Sequence, residues 1–413
     1  MIATRGMREP VVAPSGAAPD HRRHVCIVTE TYAPEVNGVA RTLGYLVEGL
    51  RARGHVVSIV RPRQRAADPS DRPPDPALML VPGLPLPGYG TLRFGLPART
   101  RLRDRWSSVR PDVVYVATEG PLGWSAVRTA RLLGIPVLGG FHTNIDGYAR
   151  HYRAGWLRRG VARYLRSFHN GTDGTLVPTA ELRDHLCLAG FRNLAVLGRG
   201  VDGRLFTPAR RSADLRRAWG VSESDLVVLC VGRIAPEKNM ELAVRAYLAM
   251  RETPGVVRFV VVGDGPSRPG LREALPEVLF PGVMTGERLA EHYASADVFL
   301  FPSETETFGN VTLEAMASGL VVVAYDYAAA RAHIEPGRSG VLVPYGDAQR
   351  FVEAAATLAR SPGLRLEMRA RVRETVTHLH WDHVVARFET WLAEAWRPRA
   401  VAGPIRTGRG DRS

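Results

Sequence analysis

The feature that most constrains the fold of this chain is a strand–loop–helix pattern that starts twice. An apolar run at residues 25–29 leads through a loop into an amphipathic helix that Gly54 ends, and a second apolar run follows at 56–60. The pattern restarts with an apolar run at 226–231. Alternating strands and helices of this kind are typical of parallel, doubly wound sheets covered by helices. The sequence therefore predicts an α/β protein with two Rossmann-like domains.

Further apolar runs extend both halves of the pattern, and residues 203–211 between the halves carry no clear element. We place the domain boundary there. Further strands are predicted at 113–116, 137–141, 174–177, 195–197, 257–262, 298–301, 321–324 and 341–343, and Pro-rich loops at 61–76 and 82–97. The predicted division of the chain is a disordered tail at 1–22, a first domain at 23–202, a second domain at 203–380, a helix at 381–396 that could cross back to the first domain, and a disordered tail at 397–413.

Charge and hydropathy narrow the classes of function. Lys and Arg number 55 against 41 Asp and Glu, which gives a formal charge of +14. This charge favours a polyanionic partner, such as a membrane surface, a nucleic acid or a phosphorylated substrate. A general bias of the composition toward arginine would explain the same charge without such a partner. No apolar run approaches the ~18 residues of a spanning helix, and the first 22 residues lack a signal-peptide core. The three cysteines show no ligand spacing, and Cys26 and Cys230 lie in strand-like runs that fit buried thiols, so we expect a cytoplasmic protein.

The first candidate site is the segment GRIAPEKN at 232–239, which joins the first strand of the second domain to a helix that Asn239 could cap. Lys238 is the only lysine of the chain. Together with Arg233 it places two cations at the carboxyl end of a strand, which suits a diphosphate. A solvated loop with exposed charges is the alternative interpretation.

A second candidate is the stretch 304–319, which reads as a loop, a short helix and a terminating Gly319 between two apolar runs. Thr307 or Asn310 could cap the helix. Glu306 falls in the loop and Glu314 about one turn inside the helix, so both can face the space outside the carboxyl edge of a parallel sheet. The free N–H groups of the helix start favour an anion in the same space. A surface carboxylate and a capping acid would be the simpler explanation.

Four segments together resemble the retaining glycosyltransferases of family 4, which have the GT-B architecture of two Rossmann-like domains facing a cleft. The segments are GRIAPEKN, VVGDGP at 261–266, ADVFLFPS at 296–303 and ETFGNVTLEAMASG at 306–319. The stretch ETYAPEVNGVARTL at 30–43 resembles a subgroup with bacterial α-mannosyltransferases and sulfoquinovosyltransferases. The resemblance runs in order over roughly residues 24–395. It implies a nucleotide-sugar donor held mostly by the second domain, 203–380, and an acceptor on the side of the first domain, 23–202.

The resemblance also implies roles for individual residues. Glu314 would hold the ribose hydroxyls and Glu306 the hydroxyls of the donor hexose. Arg233 and Lys238 would neutralise the diphosphate as the bond to the anomeric carbon breaks, which is where fixed cations act best. The expected backbone donors are Phe308, Gly309 and Asn310 toward the sugar, and Val311 and Thr312 toward the phosphates.

Two first-domain residues complete the predicted site. The resemblance implies that His142, directly after a strand, contacts the donor sugar and that its carbonyl oxygen lies near the anomeric centre; a structural histidine is the alternative. Gly38 lets the backbone approach a phosphate at the head of a helix, with a simple turn as the alternative. No Asp-x-Asp pair stands at a strand end, so we expect no metal and no further cofactor.

A basic amphipathic segment spans residues 150–169. Its arginines and its apolar residues fall on opposite sides of a helical wheel, which favours contact with an anionic membrane, but a helix packed on its own domain shows the same pattern. No nucleic-acid-binding motif accompanies the charge.

The family resemblance implies a retaining hexosyltransferase that moves a hexose from a nucleotide sugar to a hydroxyl of a lipid or glycan acceptor. The subgroup resemblance alone favours GDP-mannose as the donor. We expect the protein in the cytoplasm, where the charge and the basic segment would allow a peripheral position on the inner face of the membrane. A UDP-sugar-dependent transferase, a GT-B nucleotide-sugar epimerase and a catalytically silent sugar-nucleotide binder are the alternatives.

Overall fold

The computed structural model describes residues 22–35, 37–64, 77–86, 89–142 and 155–396. The predicted tails lie outside these ranges except for Arg22, as do residues 65–76 of the first predicted loop and residues 150–154 of the basic segment.

The first domain is built on a seven-stranded parallel sheet. Its strands run in the order β3-β2-β1-β6-β7-β8-β9, and β1 pairs in parallel with both β2 and β6. Helices cover both faces, which is why the strands are near-continuous apolar runs. The strands of this half are β1 His24–Val28, β2 Val56–Pro62, β3 Leu78–Val81, β4 Gly83–Leu86, β5 Tyr89–Gly95, β6 Val113–Val116, β7 Val137–Gly140, β8 Gly174–Val177 and β9 Leu194–Val196. The helices are α1 Gly38–Ala52, α2 Arg99–Ser108, α3 Pro121–Leu132, α4 Gly155–His169 and α5 Ala180–Leu188.

Strands β4 and β5 form an antiparallel hairpin outside the main sheet. The predicted loop at 82–97 is therefore wrong. Its Gly and Pro content suggested an irregular segment, but a two-stranded ribbon leaves one side of each strand without ladder partners and tolerates Pro85 there. The third strand of the sheet, β3, was also missing from the predicted set.

The second domain repeats the architecture with a six-stranded parallel sheet in the order β12-β11-β10-β13-β14-β15. Apolar side chains cover both of its faces, in two separate buried clusters. The half-buried edge strand β12 was not predicted. The strands are β10 Leu226–Val231, β11 Val257–Val262, β12 Leu279–Gly282, β13 Val298–Phe301, β14 Val321–Tyr325 and β15 Gly340–Val343. The helices are α6 Ala213–Ala218, α7 Met240–Arg251, α8 Arg268–Ala274, α9 Gly286–Ser295, α10 Asn310–Ala317, α11 Ala328–His333, α12 Ala348–Arg360 and α13 Pro362–Val372.

The last helix, α14 Trp381–Trp396, returns to the first domain, as predicted. Trp381 stacks on Tyr45 of α1 with ring centroids 4.5 Å apart. Gly49 makes the close approach of the two helices possible, since a Cβ there would lie 2.4 Å from Val385. The buried side of α14 joins the first-domain core through Val385, Phe388, Trp391 and Leu392.

The chain thus passes between the domains twice, and the two passages lie side by side. Val201, on the way out, forms a parallel bridge with His380, on the way back. The Val201 N–H also donates to the carbonyl oxygen of Leu379 at 2.8 Å. The two parallel sheets and the returning helix confirm the predicted fold class.

Candidate functional site

The carboxyl ends of the two sheets are joined by direct contacts. Thr307, after β13, donates its hydroxyl to the carbonyl oxygen of His142, after β7, at 2.9 Å. Asn310, the first residue of α10, donates Nδ2 to the carbonyl oxygen of Gly38, the first residue of α1, at 3.5 Å. Open α/β sheets bind ligands outside these carboxyl ends. The structure therefore brings Gly38, His142 and Asn310 together at one cleft.

The start of α10 lies at this cleft. Its N-cap is Gly309, whose φ of 92° falls in the left-handed region, and no side chain among the described residues caps the helix. The prediction that Thr307 or Asn310 caps α10 is wrong, because both side chains reach across the cleft instead. A helix start without a capping side chain leaves its first N–H groups for an anion.

The predicted backbone donors form the loop end and the first turn of α10. The carbonyl oxygen of Phe308 accepts from the N–H of Ala329 at 2.9 Å, which fixes the loop against α11. The N–H of Thr312 donates to the carbonyl oxygen of Gly309 at 3.0 Å, so this group already has an acceptor in the turn. These predicted donors are the five consecutive residues Phe308, Gly309, Asn310, Val311 and Thr312.

Glu306 and Lys238 form an ion pair. The Lys238 ammonium contacts Oε1 of Glu306, which also accepts from the hydroxyl of Ser303 at 2.8 Å. Both side chains are largely buried. The Tyr327 hydroxyl accepts from the Glu306 N–H at 3.1 Å and donates to the Ser303 carbonyl at 2.6 Å. The Glu306 loop is thus held in place from two sides.

Arg233, the second predicted cation, lies in the same loop region but faces a different carboxylate. Its Nη1 is 3.2 Å from Oε1 of Glu237. Two glycines allow this loop to sit against the neighbouring strand end: a Cβ on Gly263 would lie 1.9 Å from the Gly232 carbonyl oxygen, and one on Gly265 2.3 Å from that of Ile234. The sequence GDG therefore serves close backbone packing beside the two cations.

Asn239, predicted to cap α7, makes no side-chain cap and adopts a left-handed conformation with φ of 52°, so that prediction is wrong.

Glu314 pairs with a residue that the sequence analysis missed. Arg41 of α1 places Nη2 2.8 Å from Oε1 of Glu314, so this ion pair joins the two domains. Burial raises the pKa of Glu314, and Arg41 and Tyr293 act in the opposite direction. Oε2 of Glu314 is buried without a hydrogen-bond partner among the described residues. The sequence could have drawn attention to Arg41, because this residue lies one helical turn after Gly38 within the stretch 30–43 that carries the subgroup resemblance.

His142 is held by its own domain. Its Nδ1 lies 3.0 Å from Nη2 of Arg199 and its Nε2 3.3 Å from the Tyr115 hydroxyl. Because a guanidinium only donates, Nδ1 accepts and Nε2 carries the ring proton. Burial lowers the pKa of His142 well below its ordinary value, and the nearby Arg199 charge adds to the effect. The ring is therefore neutral, and the backbone carbonyl of His142 meets the second domain through Thr307.

In the Asn37–Gly38 turn, Asn37 caps α1 and Gly38 leaves space at the start of this helix. The Asn37 side chain caps α1 by accepting from the Ala40 N–H at 2.9 Å. A Cβ on Gly38 would meet only Asn310, at 3.8 Å, so this helix start is open toward the second domain.

Two more carboxylates lie at the carboxyl edge of the first sheet. Glu30, after β1, accepts from the Gly95 N–H of the hairpin, and burial raises its pKa to about 7. Glu119, before α3, lies with Oε1 3.1 Å from Nε2 of His169. The sequence analysis missed both residues, although each directly follows the end of a strand, as His142 does.

The described part of the basic segment forms α4. Leu165 and Phe168 are buried in their own domain, while Arg159 and Arg163 are exposed. The apolar side of α4 is therefore used in packing, as the simpler interpretation expected. Within the described ranges, no helix is long and apolar enough to span a bilayer, and no cluster of three or more His, Cys, Asp or Glu side chains could hold a metal ion.

Comparison with protein families shows two matches in chain order. Residues 36–204 match the model described as Glycosyltransferase Family 4, and residues 225–361 match that described as Glycosyl transferases group 1.

Known proteins resemble the chain over most of its length. It is 34% identical to a GDP-mannose-dependent alpha-mannosyltransferase of Mycobacterium tuberculosis, over 88% of the chain and 96% of that protein. It is 32% identical to a sulfoquinovosyl transferase of Arabidopsis thaliana, over 78% of the chain and 65% of that protein. Among solved structures, sucrose-phosphate synthase of Thermosynechococcus elongatus has a TM-score of 0.73 at 19% identity, covering 90% of this chain and 99% of that one. An Anabaena protein crystallised with UDP has a TM-score of 0.71 at 18% identity, covering 90% and 100%.

Proposed function

Since the chain belongs to the family 4 glycosyltransferases, we propose that it transfers mannose from GDP-mannose to a hydroxyl of a lipid or glycan acceptor, with retention at the anomeric carbon. The observation that carries this proposal is the grouping of an open helix start, two carboxylates and two cations at the carboxyl edge of the second sheet. The names of several relatives support mannose as the sugar and GDP as the carrier.

The diphosphate binds at the start of α10, where it accepts from the N–H of Val311 and shares the N–H of Thr312 with the Gly309 carbonyl oxygen. Arg233 and Lys238 supply the positive charge. The donor breaks the ion pairs that these cations make with Glu237 and Glu306. Lys238 then moves from a carboxylate to a phosphate, and Glu306 is released to accept from the mannose hydroxyls.

The ribose hydroxyls bind Glu314, whose buried Oε2 has no partner among the described residues. A buried carboxylate oxygen without a donor costs free energy, and a ribose hydroxyl supplies the missing hydrogen bond. Arg41 occupies Oε1 from the other domain, so the donor either shares Glu314 with Arg41 or displaces it.

The reaction itself takes place on one face of the sugar. The bond from the anomeric carbon to the phosphate oxygen breaks, the acceptor oxygen forms a bond to the same carbon, and the acceptor proton passes to the leaving phosphate. Fixed cations and the N–H groups of the helix stabilise the charge that develops on that phosphate. The carbonyl oxygen of His142 lies beside this centre, next to the loop that contains Thr307.

A donor panel tests the proposal. GDP should stabilise the protein by ~2.7 kcal/mol at 100 times its dissociation constant, and UDP at the same concentration by much less. GDP-mannose should be turned over when an acceptor lipid is supplied. Stabilisation by UDP alone would move the assignment to a UDP-sugar transferase, and interconversion of the donor without an acceptor would identify an epimerase. If the protein neither binds nor turns over any donor, the transferase and the epimerase hypotheses are both refuted.

We also propose that α4 contacts an anionic membrane through its arginines. Arg159 and Arg163 are exposed, and each basic residue near an anionic surface contributes about 1 kcal/mol. Because the buried side of α4 packs on its own domain, the contact is electrostatic and high salt should abolish it. Co-sedimentation with phosphatidylglycerol vesicles should weaken in the double variant Arg159→Gln/Arg163→Gln and stay unchanged in the exposed control Arg128→Gln. Equal sedimentation of all three would exclude this role.

A further inference from the structure

A cavity of about 470 Å³ lies at the carboxyl edge of the first sheet, apart from the start of α10. It is formed where β2 and β3 end, where the β4–β5 hairpin folds over them, and where α2 begins. This volume lies within the range of small-molecule sites. The wall has a basic part, Arg63, Arg93 and Arg101, and an apolar part, Leu80, Val81 and Pro82.

Two of these arginines have no carboxylate partner. Within the described part of the chain, neither Arg93 nor Arg101 makes an ion pair, whereas Arg41 and Arg233 at the cleft do. Arg93 is half-buried and donates through Nη2 to the Gly83 carbonyl oxygen at 2.7 Å. Its Nε is buried and has no acceptor among the described residues. A buried charged donor without an acceptor is costly, and an anion in the cavity would satisfy it.

The cavity adjoins the loop that leads to the cleft. The Gly95 N–H, two residues beyond Arg93, donates to the Glu30 carboxylate. Gln64, next to Arg63, donates to the Glu30 carbonyl oxygen at 3.3 Å. The loop that starts at Glu30 runs to Gly38, whose carbonyl oxygen accepts from Asn310 of the second domain. A molecule in the cavity therefore lies on the acceptor side of the cleft.

We propose that this cavity binds an oxyanion, a phosphate or a carboxylate, that is part of the acceptor. Arg93 and Arg101 hold the anion, since a guanidinium matches both groups with paired N–H donors. The apolar wall contacts the hydrocarbon next to it. The assignment of the anion to the acceptor rests on the proposed transferase function, while the presence of an anion site does not.

The test is isothermal titration of the full-length protein with four probes: octyl phosphate, octanoate, octyl glucoside and inorganic phosphate. Octyl phosphate or octanoate should bind, and Arg93→Gln and Arg101→Gln should each weaken that binding about tenfold. Arg99→Gln, an exposed arginine in the same helix as Arg101, is the matched control and should bind as the wild type does. Arg101 is itself exposed, so its replacement keeps the test valid even if Arg93→Gln disturbs the hairpin.

Each outcome decides a separate point. Preference for octyl phosphate over octanoate, or the reverse, supports the site and names the anion. Equal affinity of wild type, Arg93→Gln and Arg101→Gln for both anionic probes overturns it. Inorganic phosphate that binds as tightly as octyl phosphate overturns the assignment to the acceptor. A parallel titration with GDP and UDP separates the two hypotheses. If the wild type binds neither nucleotide, the proposed transferase function is removed while the result for the cavity stays intact.

Discussion

The two sheets end in different chemistry, although they share one architecture. At the edge of the second sheet lie an open helix start and the cations Arg233 and Lys238, each held by a nearby carboxylate. At the edge of the first sheet lie a neutral buried histidine, His142, and a protonatable acid, Glu30. At the second edge each cation is paired with a carboxylate, whereas at the first edge the buried Arg199 guanidinium faces a neutral imidazole. A parallel sheet therefore determines only where a site lies, and the loop residues determine which substrate the site binds.

Removal of the carboxylate that Lys238 faces should have the largest effect on transfer. Glu306→Gln keeps the shape of the side chain but loses the charge that we expect to accept from the mannose hydroxyls. Transfer should fall by at least about a thousandfold, since such contacts act most strongly in the transition state. Steady-state kinetics with GDP-mannose measures the loss. Glu304→Gln, in the same loop, is the control, and a Glu306→Gln enzyme with the wild-type rate would refute the assignment.

Removal of the cation itself should have the next largest effect. In Lys238→Met the leaving phosphate loses a fixed positive charge, and kcat should drop by about 100- to 1,000-fold. Lys238→Arg should recover part of the rate, because the charge remains while the geometry changes. A burst experiment that follows GDP release would show whether the chemical step is affected. Equal kcat for Met and wild type at position 238 would contradict the role.

On the first-domain side, Glu30 should affect stability and its pH dependence. Its pKa is about 7 in the folded protein, above the usual value near 4.5. The folded state therefore keeps a proton that the unfolded state releases, so the stability from this group is full below about pH 4.5 and is lost as the pH rises through 7. The loss is about 3 kcal/mol at most, from 1.36 kcal/mol per pKa unit.

Glu30→Gln should remove this part of the pH profile and leave the protein more stable than the wild type at pH 8. Urea denaturation at several pH values measures it. Glu48→Gln, which removes an exposed carboxylate of the same domain, should leave the profile as in the wild type. Parallel profiles for wild type and Glu30→Gln would show that Glu30 does not titrate as stated.

The smallest expected effect concerns the pair that joins the two edges. Arg41→Met leaves Glu314 buried without its cation, which raises the pKa of Glu314 further. Since the ribose hydroxyls need an ionised acceptor, GDP affinity in the variant should fall as the pH decreases from 8 to 6, by up to about tenfold more than in the wild type. Calorimetric titration with GDP checks this. The same pH dependence in both proteins would mean that Arg41 does not control the charge of Glu314.

The strands that lie in apolar runs and the site residues that lie in motifs could be predicted from the sequence. Apolar runs bounded by Gly predicted most strands, and the motif stretches placed Glu306, Lys238 and Glu314 at one sheet edge. The hairpin of β4 and β5 was missed because its Gly and Pro content is that of a loop. The caps of α7 and α10 were wrong, since Asn and Thr can serve a distant partner as well as a nearby N–H. Arg41 could not be paired with Glu314, because that contact depends on how two separately folded sheets meet.

The adjacent crossings at Val201 and His380 make the second domain, in topological terms, an insertion within the first. Its two ends leave and re-enter at one point, so a short linker could replace 203–379 and reconnect the first-domain strands to α14. The same arrangement places both covalent connections between the lobes at one point, beside the Val201–His380 bridge. Sliding of one lobe over the other would break the Val201–His380 bridge. A rotation of one lobe about this point would displace the far edge of the cleft most, and it would break the Thr307–His142 and Asn310–Gly38 contacts.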